Sequence, residues 1–137
     1  MATEYATLRE KIAAEKAERQ QRYASFAALW DKAHAAGMEA GNAAQPQTMV
    51  VADGRQEWRV PEGPCGFASV VVYPGNCSFA LWAKKNRNAT KAYRGGMTVR
   101  WVSEFNQSYT RKDAYAQAFA AVLNDAGIKA YGESRLD

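Results

Sequence analysis

The chain is short of the residues that usually carry catalysis. It has one histidine in 137 residues, His34, and only two cysteines, Cys65 and Cys77. His34 lies in a helical run between Ala33 and Ala35, with no Cys, Asp or Glu four residues on, so the sequence offers neither a metal pair nor a base with its orienting partner. One His and two widely spaced Cys do not make a standard zinc site, and no GxSxG, HExxH or P-loop pattern occurs. Carboxylates in the second half, Glu57, Glu62, Glu104 and Asp113, are scattered over different elements and signal no acid/base pair. The expectation is a protein that is not an enzyme and has no cofactor or metal. No apolar run approaches the ~18 residues of a membrane span. The start, Met-Ala-Thr-Glu, has neither the basic residues nor the apolar stretch of a secretory signal, so a cytoplasmic protein with reduced thiols is expected.

Proline is also scarce, and none occurs before Pro46. With Ala, Glu, Lys, Arg and Gln dominating, residues 1–44 read as one helix. Its first half carries only Tyr5, Leu8 and Ile12 as an apolar stripe. From Tyr23 onward Phe26, Ala27, Trp30, Ala33, His34, Gly37 and Met38 recur at spacings of three and four, so this half packs on something substantial. Gly37 and Gly41 make a strip where another group can approach closely, although Gly41 also suits the helix exit. The polar first half is marginal alone and suits pairing with a second copy, a candidate oligomerisation arm.

Residues 45–137 change period. Gln47–Asp53 and Gln56–Val60 flank Asp53-Gly54, a hairpin signal. Phe67–Tyr73 read as a buried central strand ended by Pro74-Gly75. Ser78 is placed to cap a short helix, Phe79–Lys85, with Phe79 and Trp82 inward. Lys91–Tyr93 and Met97–Phe105 form a second hairpin around Gly95-Gly96, with Val99, Trp101 and Ser103 facing one way and Arg100 and Val102 the other. Ser108 or Thr110 caps a last helix ended by Gly127, and the tail adds an edge strand carrying Arg135. The order predicts an α+β fold: a long N-terminal helix, an antiparallel sheet of about five to six strands, one short helix, and a C-terminal helix packed on the sheet.

Charge is concentrated. Residues 1–44 hold six basic and six acidic side chains, so the whole net charge of +4 belongs to 45–137. Within that, the stretch Lys84–Lys112 carries Lys84, Lys85, Arg87, Lys91, Arg94, Arg100, Arg111 and Lys112 against Glu104 alone. Such a stretch attracts anionic partners, in a cytoplasmic protein usually nucleotides, nucleic acid or phosphorylated metabolites. Trp82, Tyr93, Trp101, Phe105 and Tyr109 are interleaved with these cations, the mixture that stacks bases and grips phosphates. Core packing is the competing assignment for Trp82, Trp101 and Phe105, and less so for Tyr93 and Tyr109 beside loops. Gln107–Thr110, followed by Arg111-Lys112, read as an anion site at a helix N-terminus.

Several runs resemble a small protein family widespread in tailed bacteriophages: Cys65-Gly66-Phe67-Ala68, Ser78-Phe79-Ala80-Leu81-Trp82 with Lys84-Lys85-Asn86, Tyr93 with Gly95-Gly96, Trp101-Val102-Ser103, Gln107-Ser108 with Arg111-Lys112, and Gly127–Tyr131 with Ser134–Asp137. The lead-in from Phe26 to Gly41 is similar too, so the likeness covers residues 23–137. It points to phage sponge proteins of the anti-CBASS and anti-Thoeris class, which are oligomeric, sit in the host cytoplasm, and sequester nucleotide second messengers without turning them over. The resemblance implies a cyclic nucleotide ligand, with Tyr93, Trp101 and Tyr109 stacking on bases and Arg94, Ser108, Arg111 and Arg135 holding phosphates or base edges. From Arg94, Arg111 and the flanking aromatics, Arg111→Ala should lose nucleotide binding while staying folded and oligomeric. A single-stranded DNA or RNA binding protein is the alternative, favoured by a continuous basic track, whereas a pocket with one or two arginines favours the small ligand.

Overall fold

A computed structural model describes residues 2–137, with side chains from residue 7 onward. The order is α1 (Ala2–Ala43), β1 (Met49–Ala52), β2 (Glu57–Val60), β3 (Gly66–Tyr73), α2 (Ser78–Asn86), β4 (Thr90–Lys91), β5 (Met97–Trp101), α3 (Tyr109–Asp125) and β6 (Lys129–Leu136). This is the α+β arrangement expected, with its six strands divided. β1 and β2 form a separate antiparallel ribbon, and the other four make an antiparallel sheet in the order β4-β5-β3-β6. The ribbon turns at Asp53, whose Oδ1 accepts from the backbone N–H of Arg55 and Gln56, while Gly54 takes φ of 90°. β3 runs between β5 and β6, so it is the central strand its apolar run predicts. Among the described residues no helix is long and apolar enough to cross a membrane.

All the helices that build the core lie on one face of the sheet. Ala68, Val70 and Val72 of β3 point into a cluster with Trp30 and Ala33 of α1, Phe79 and Trp82 of α2, and Tyr115, Phe119 and Leu123 of α3. A run of rings links the helices: Phe26 meets Phe79 edge-on at 5.5 Å, Trp30 meets Phe119 at 5.1 Å, and Tyr115 stacks on Phe119 at 5.9 Å. Edge-on and offset contacts of this kind add to the area these rings bury. The second half of α1 therefore shares one core with residues 45–137. Its close approach runs over the glycine strip: a Cβ on Gly37 would meet the Tyr115 ring at 2.7 Å, and one on Gly41 would overlap the ring of Phe105.

The packed part of α1 begins later than its periodicity predicts. Residues 7–25 are exposed, Tyr23 included, and burial starts at Phe26. Leu8 and Ile12 are both more than half exposed, and the Tyr5 side chain lies outside the described residues. At α2 the N-cap is Cys77, without a side-chain hydrogen bond, and Ser78 is already helical. At α3 the choice resolves to Ser108, whose Oγ accepts from the Arg111 N–H.

The second hairpin departs most from expectation. β4 is only two residues and β5 stops at Trp101. Val70 pairs with Arg100 but Val71 with Thr98, which makes Val99 an extra residue on β5. A β-bulge of this kind reverses the facing of everything after it. Val99 is buried in the core and Arg100 also turns to the helix side, where its Nε donates to the Tyr115 hydroxyl at 2.9 Å. Trp101 is thereby sent to the opposite face from Val99, against the strict alternation predicted for them.

The polar cluster beneath the bulge holds loop and helices together. Arg100 forms an ion pair with Glu104, and His34 Nδ1 lies 2.5 Å from the Tyr115 hydroxyl. Burial alone would raise the Glu104 carboxyl, but its own backbone N–H, the Arg100 guanidinium and His34 together hold it below its ordinary value of 4.5. A carboxylate with a lowered folded pKa contributes stability above its unfolded value, and that contribution disappears as pH falls through the folded one. Glu104→Gln is therefore expected to flatten the acid limb of a melting-temperature profile below pH of about 4.5. It should not remove the limb, because the turn hydrogen bonds also lower Asp53. An unchanged limb would remove Glu104 from the acid response.

Candidate functional site

With α1, α2 and α3 on one face, no helix of the core covers the other face of the four-stranded sheet, although Val71 at its centre is only 1% exposed. Along β3 that outer face carries Phe67, Ser69, Val71 and Tyr73, the residues that alternate with the core positions. β6 pairs with β3 over its whole length, opposing Arg135 to Phe67, Glu133 to Ser69, Tyr131 to Val71 and Lys129 to Tyr73. From β5 come Thr98 and, because of the bulge, Trp101. The resulting concavity has a volume of about 830 Å³ and is closed at the Tyr73 end by the β4–β5 turn with Tyr93, Arg94 and Gly95. That volume is in the range of small-molecule sites. Phe67 to Tyr73 spans roughly 20 Å along the strand.

Aromatic surface is abundant here. Trp101 is 52% exposed and leans on Phe67 with ring centroids 5.8 Å apart, and Tyr73 meets Tyr131 at 5.5 Å. Arg135 holds its guanidinium 5.4 Å from the centre of the Phe67 ring. Tyr93 is fully exposed at the tip of the turn. Gly95 and Gly96 both have positive φ, and Gly96 packs against Tyr73 and the Val72 carbonyl, so the turn lies tight over the end of β3. A flat ring can rest on the indole while an anion meets an arginine at either end, Arg94 or Arg135.

Of the seven residues singled out from the sequence, the fold brings Tyr93, Arg94, Trp101 and Arg135 together in this concavity. The other three lie elsewhere and are engaged in the structure. Ser108 is buried, donates to the Glu62 carbonyl at 3.1 Å and caps α3. Tyr109 sits over Gly66, and its hydroxyl is 3.2 Å from that of Ser134. Arg111 bonds Glu62 through Nε at 2.6 Å and gives Nη1 to the carbonyls of Gly41 and Asn42 at 2.8 and 3.0 Å. Those are last-turn carbonyls of α1, which lack helical partners, so Arg111 is a staple between α1 and the rest. The helix N-terminus expected to take an anion is occupied by the chain itself: the Tyr109 N–H donates to the Pro64 carbonyl and the Arg111 N–H to Ser108.

The basic stretch is divided in the same way. Arg100 and Arg111 are paired with carboxylates. Arg87 lies over the Trp82 and Trp30 rings, at 4.8 and 5.7 Å from their centres. Lys112 is only 5% exposed, with its Nζ 6.0 Å from the Phe67 ring. Lys84, Lys85, Lys91 and Arg94 remain exposed, and of these only Arg94 lines the concavity. Trp82 and Phe105 join the core or pack against it.

Arg111→Ala is consequently expected to cost about 1–2 kcal/mol of stability, less than a fully buried pair because Arg111 is partly solvated. Any ligand binding in the concavity should be unchanged in the folded variant. Thermal melts beside a binding titration check both halves, and a variant with normal stability and lost binding would return Arg111 to the site.

Phe67, Ser69, Tyr73 and Glu133 also line this concavity and are not among the residues singled out from the sequence. Their signal was present in the period-two alternation of β3 and β6, which assigns one face of each strand once the other is known to be core. Among the described residues no group of three or more His, Cys, Asp or Glu side chains is placed to hold a metal ion. No family model, curated protein or solved structure matches this chain, which leaves the outer face of the sheet to define the chemistry by itself.

Proposed function

We propose that this protein binds a cyclic nucleotide immune signal, or a closely related nucleotide, on the outer face of its four-stranded sheet and sequesters it unchanged in the cytoplasm of a phage-infected cell. The observation that carries this reading is the convergence of a half-exposed indole, Trp101, with Arg94 and Arg135 in one uncovered concavity. Stacking supplies affinity for a base of any kind, and the arginines supply it for phosphate. Two arginines rather than a row of cations match a small ligand better than a long polyanion. The resemblance of several runs to a tailed-phage protein family, and the link from that family to sponges, support the same role, and so does the exposed first half of α1, whose Leu8 and Ile12 are available to a second copy in an oligomer.

The test is to incubate the purified protein with a panel of cyclic dinucleotides, cyclic trinucleotides and cyclic ADP-ribose isomers, denature it, and identify what was retained. One intact ligand is the expected result. A chemically altered ligand would replace sequestration with catalysis, and an empty protein would overturn the small-ligand reading.

A second reading, binding to single-stranded DNA or RNA, draws on a different observation. Phe67, Trp101, Tyr73 and Tyr131 are spread along a face open to solvent, as in sheets that stack successive bases. Salt separates the two, since a polymer releases many counterions and its affinity falls steeply with ionic strength, whereas a ligand with one or two phosphates responds weakly.

A further inference from the structure

One carboxylate stands in the middle of the aromatic face. Ser69 pairs with Trp101 on one side and with Glu133 on the other, so Trp101, Ser69 and Glu133 form a single row across β5, β3 and β6. With neighbouring strands ~4.8 Å apart, indole and carboxylate positions are about 10 Å apart, separated only by a serine. The Glu133 carboxylate is exposed and has no hydrogen-bond or ion-pair partner among the described residues. The nearest cation on its own strand, Arg135, lies over Phe67 instead.

An ionised carboxylate only accepts hydrogen bonds. Its two oxygens are both satisfied by an edge with two adjacent N–H donors. Among the common bases guanine presents this edge, with N1–H beside the N2 amino group. Adenine offers the N6 amino group next to the N1 lone pair, and cytosine the N4 amino group next to N3, so each would set a lone pair against the anion. The same charge repels phosphate from the centre of the face and leaves it to Arg94 or Arg135 at the ends. We infer that Glu133 is a specificity-determining residue that selects guanine, reading its Watson–Crick edge while the ring rests by Trp101. This rests on the nucleotide-binding reading above.

The experiment compares guanosine, inosine and adenosine 5′-monophosphates by calorimetric titration into the wild type and Glu133→Gln. Inosine monophosphate keeps N1–H and lacks the N2 amino group. For the wild type the expected order is guanosine, then inosine, then adenosine, with guanine favoured over adenine by about tenfold or more. In Glu133→Gln, whose amide can rotate to offer either a donor or an acceptor, the guanine preference should fall to within about threefold while adenosine binding is kept. Melting temperature confirms that the exposed substitution leaves the fold intact. Equal binding of all three by the wild type, or a guanine preference that survives Glu133→Gln, overturns the inference while the nucleotide site stands. Failure of all three and of cyclic di-GMP and cyclic di-AMP overturns both. Comparing cyclic di-GMP with a short guanine-bearing single-stranded RNA tells which form of the base is held, and the Glu133 dependence is expected with whichever binds.

Discussion

Trp101→Ala is expected to weaken nucleotide binding about tenfold to a hundredfold, from the loss of roughly 1–3 kcal/mol of stacking per base. The fold should hardly notice. Trp101 is 52% exposed at the last position of β5, its recorded ring neighbour is Phe67, and the core lies on the other side of the sheet. A melting temperature within a few degrees of wild type, together with the lost affinity, would separate binding from structure. Trp101→Phe should recover part of the affinity, since a smaller ring still stacks. If Trp101→Ala binds normally, the aromatic face is not where the ligand sits.

Phe119→Ala is expected to do the reverse. Phe119 is fully buried, edge-on to Trp30 and stacked on Tyr115, at the contact between α1 and α3. Removing a buried phenylalanine ring typically costs about 3–5 kcal/mol, combining lost transfer energy with the cavity left behind. For a chain of this length that corresponds to a fall in melting temperature of about 10–20 °C. Below its transition the variant should bind nucleotide with the wild-type affinity, because the helices and the proposed site are on opposite faces of the sheet. Coupled loss of stability and affinity in the folded variant would mean that the helix layer reaches the site.

Most of the fold was legible in the sequence because punctuation residues do their local jobs. Gly54, Gly95, Gly96 and Gly127 all adopt the positive φ that their turns or helix end require. Ser108 caps α3, and the apolar run of β3 becomes the central strand. What was not legible depends on pairing. The extra residue at Val99 has no sequence mark, yet it decides which face Trp101 joins. Two of the seven candidate site residues, Ser108 and Arg111, are bound to Glu62, a partner 46 and 49 residues away. Proximity along the chain made eight cations look like one patch, whereas Arg87, Arg100, Arg111 and Lys112 are engaged by carboxylates or rings and, of the four left exposed, only Arg94 lines the concavity. Glu133 was overlooked for a related reason: it is one of eight acids scattered through a basic half, and it becomes chemically informative only when pairing sets it in line with Ser69 and Trp101.

The most direct test of the central claim is the indole region of a proton–nitrogen correlation spectrum recorded while the retained nucleotide is titrated in. The four tryptophans report on different places: Trp101 on the outer face, Trp30 and Trp82 in the core, and Trp58 on the separate ribbon. Each signal can be assigned by a single Trp→Phe substitution. The expected result is a saturable shift of the Trp101 indole with the other three unmoved. A shift confined to Trp58, or to the two core indoles, would contradict a site on the outer face of the sheet.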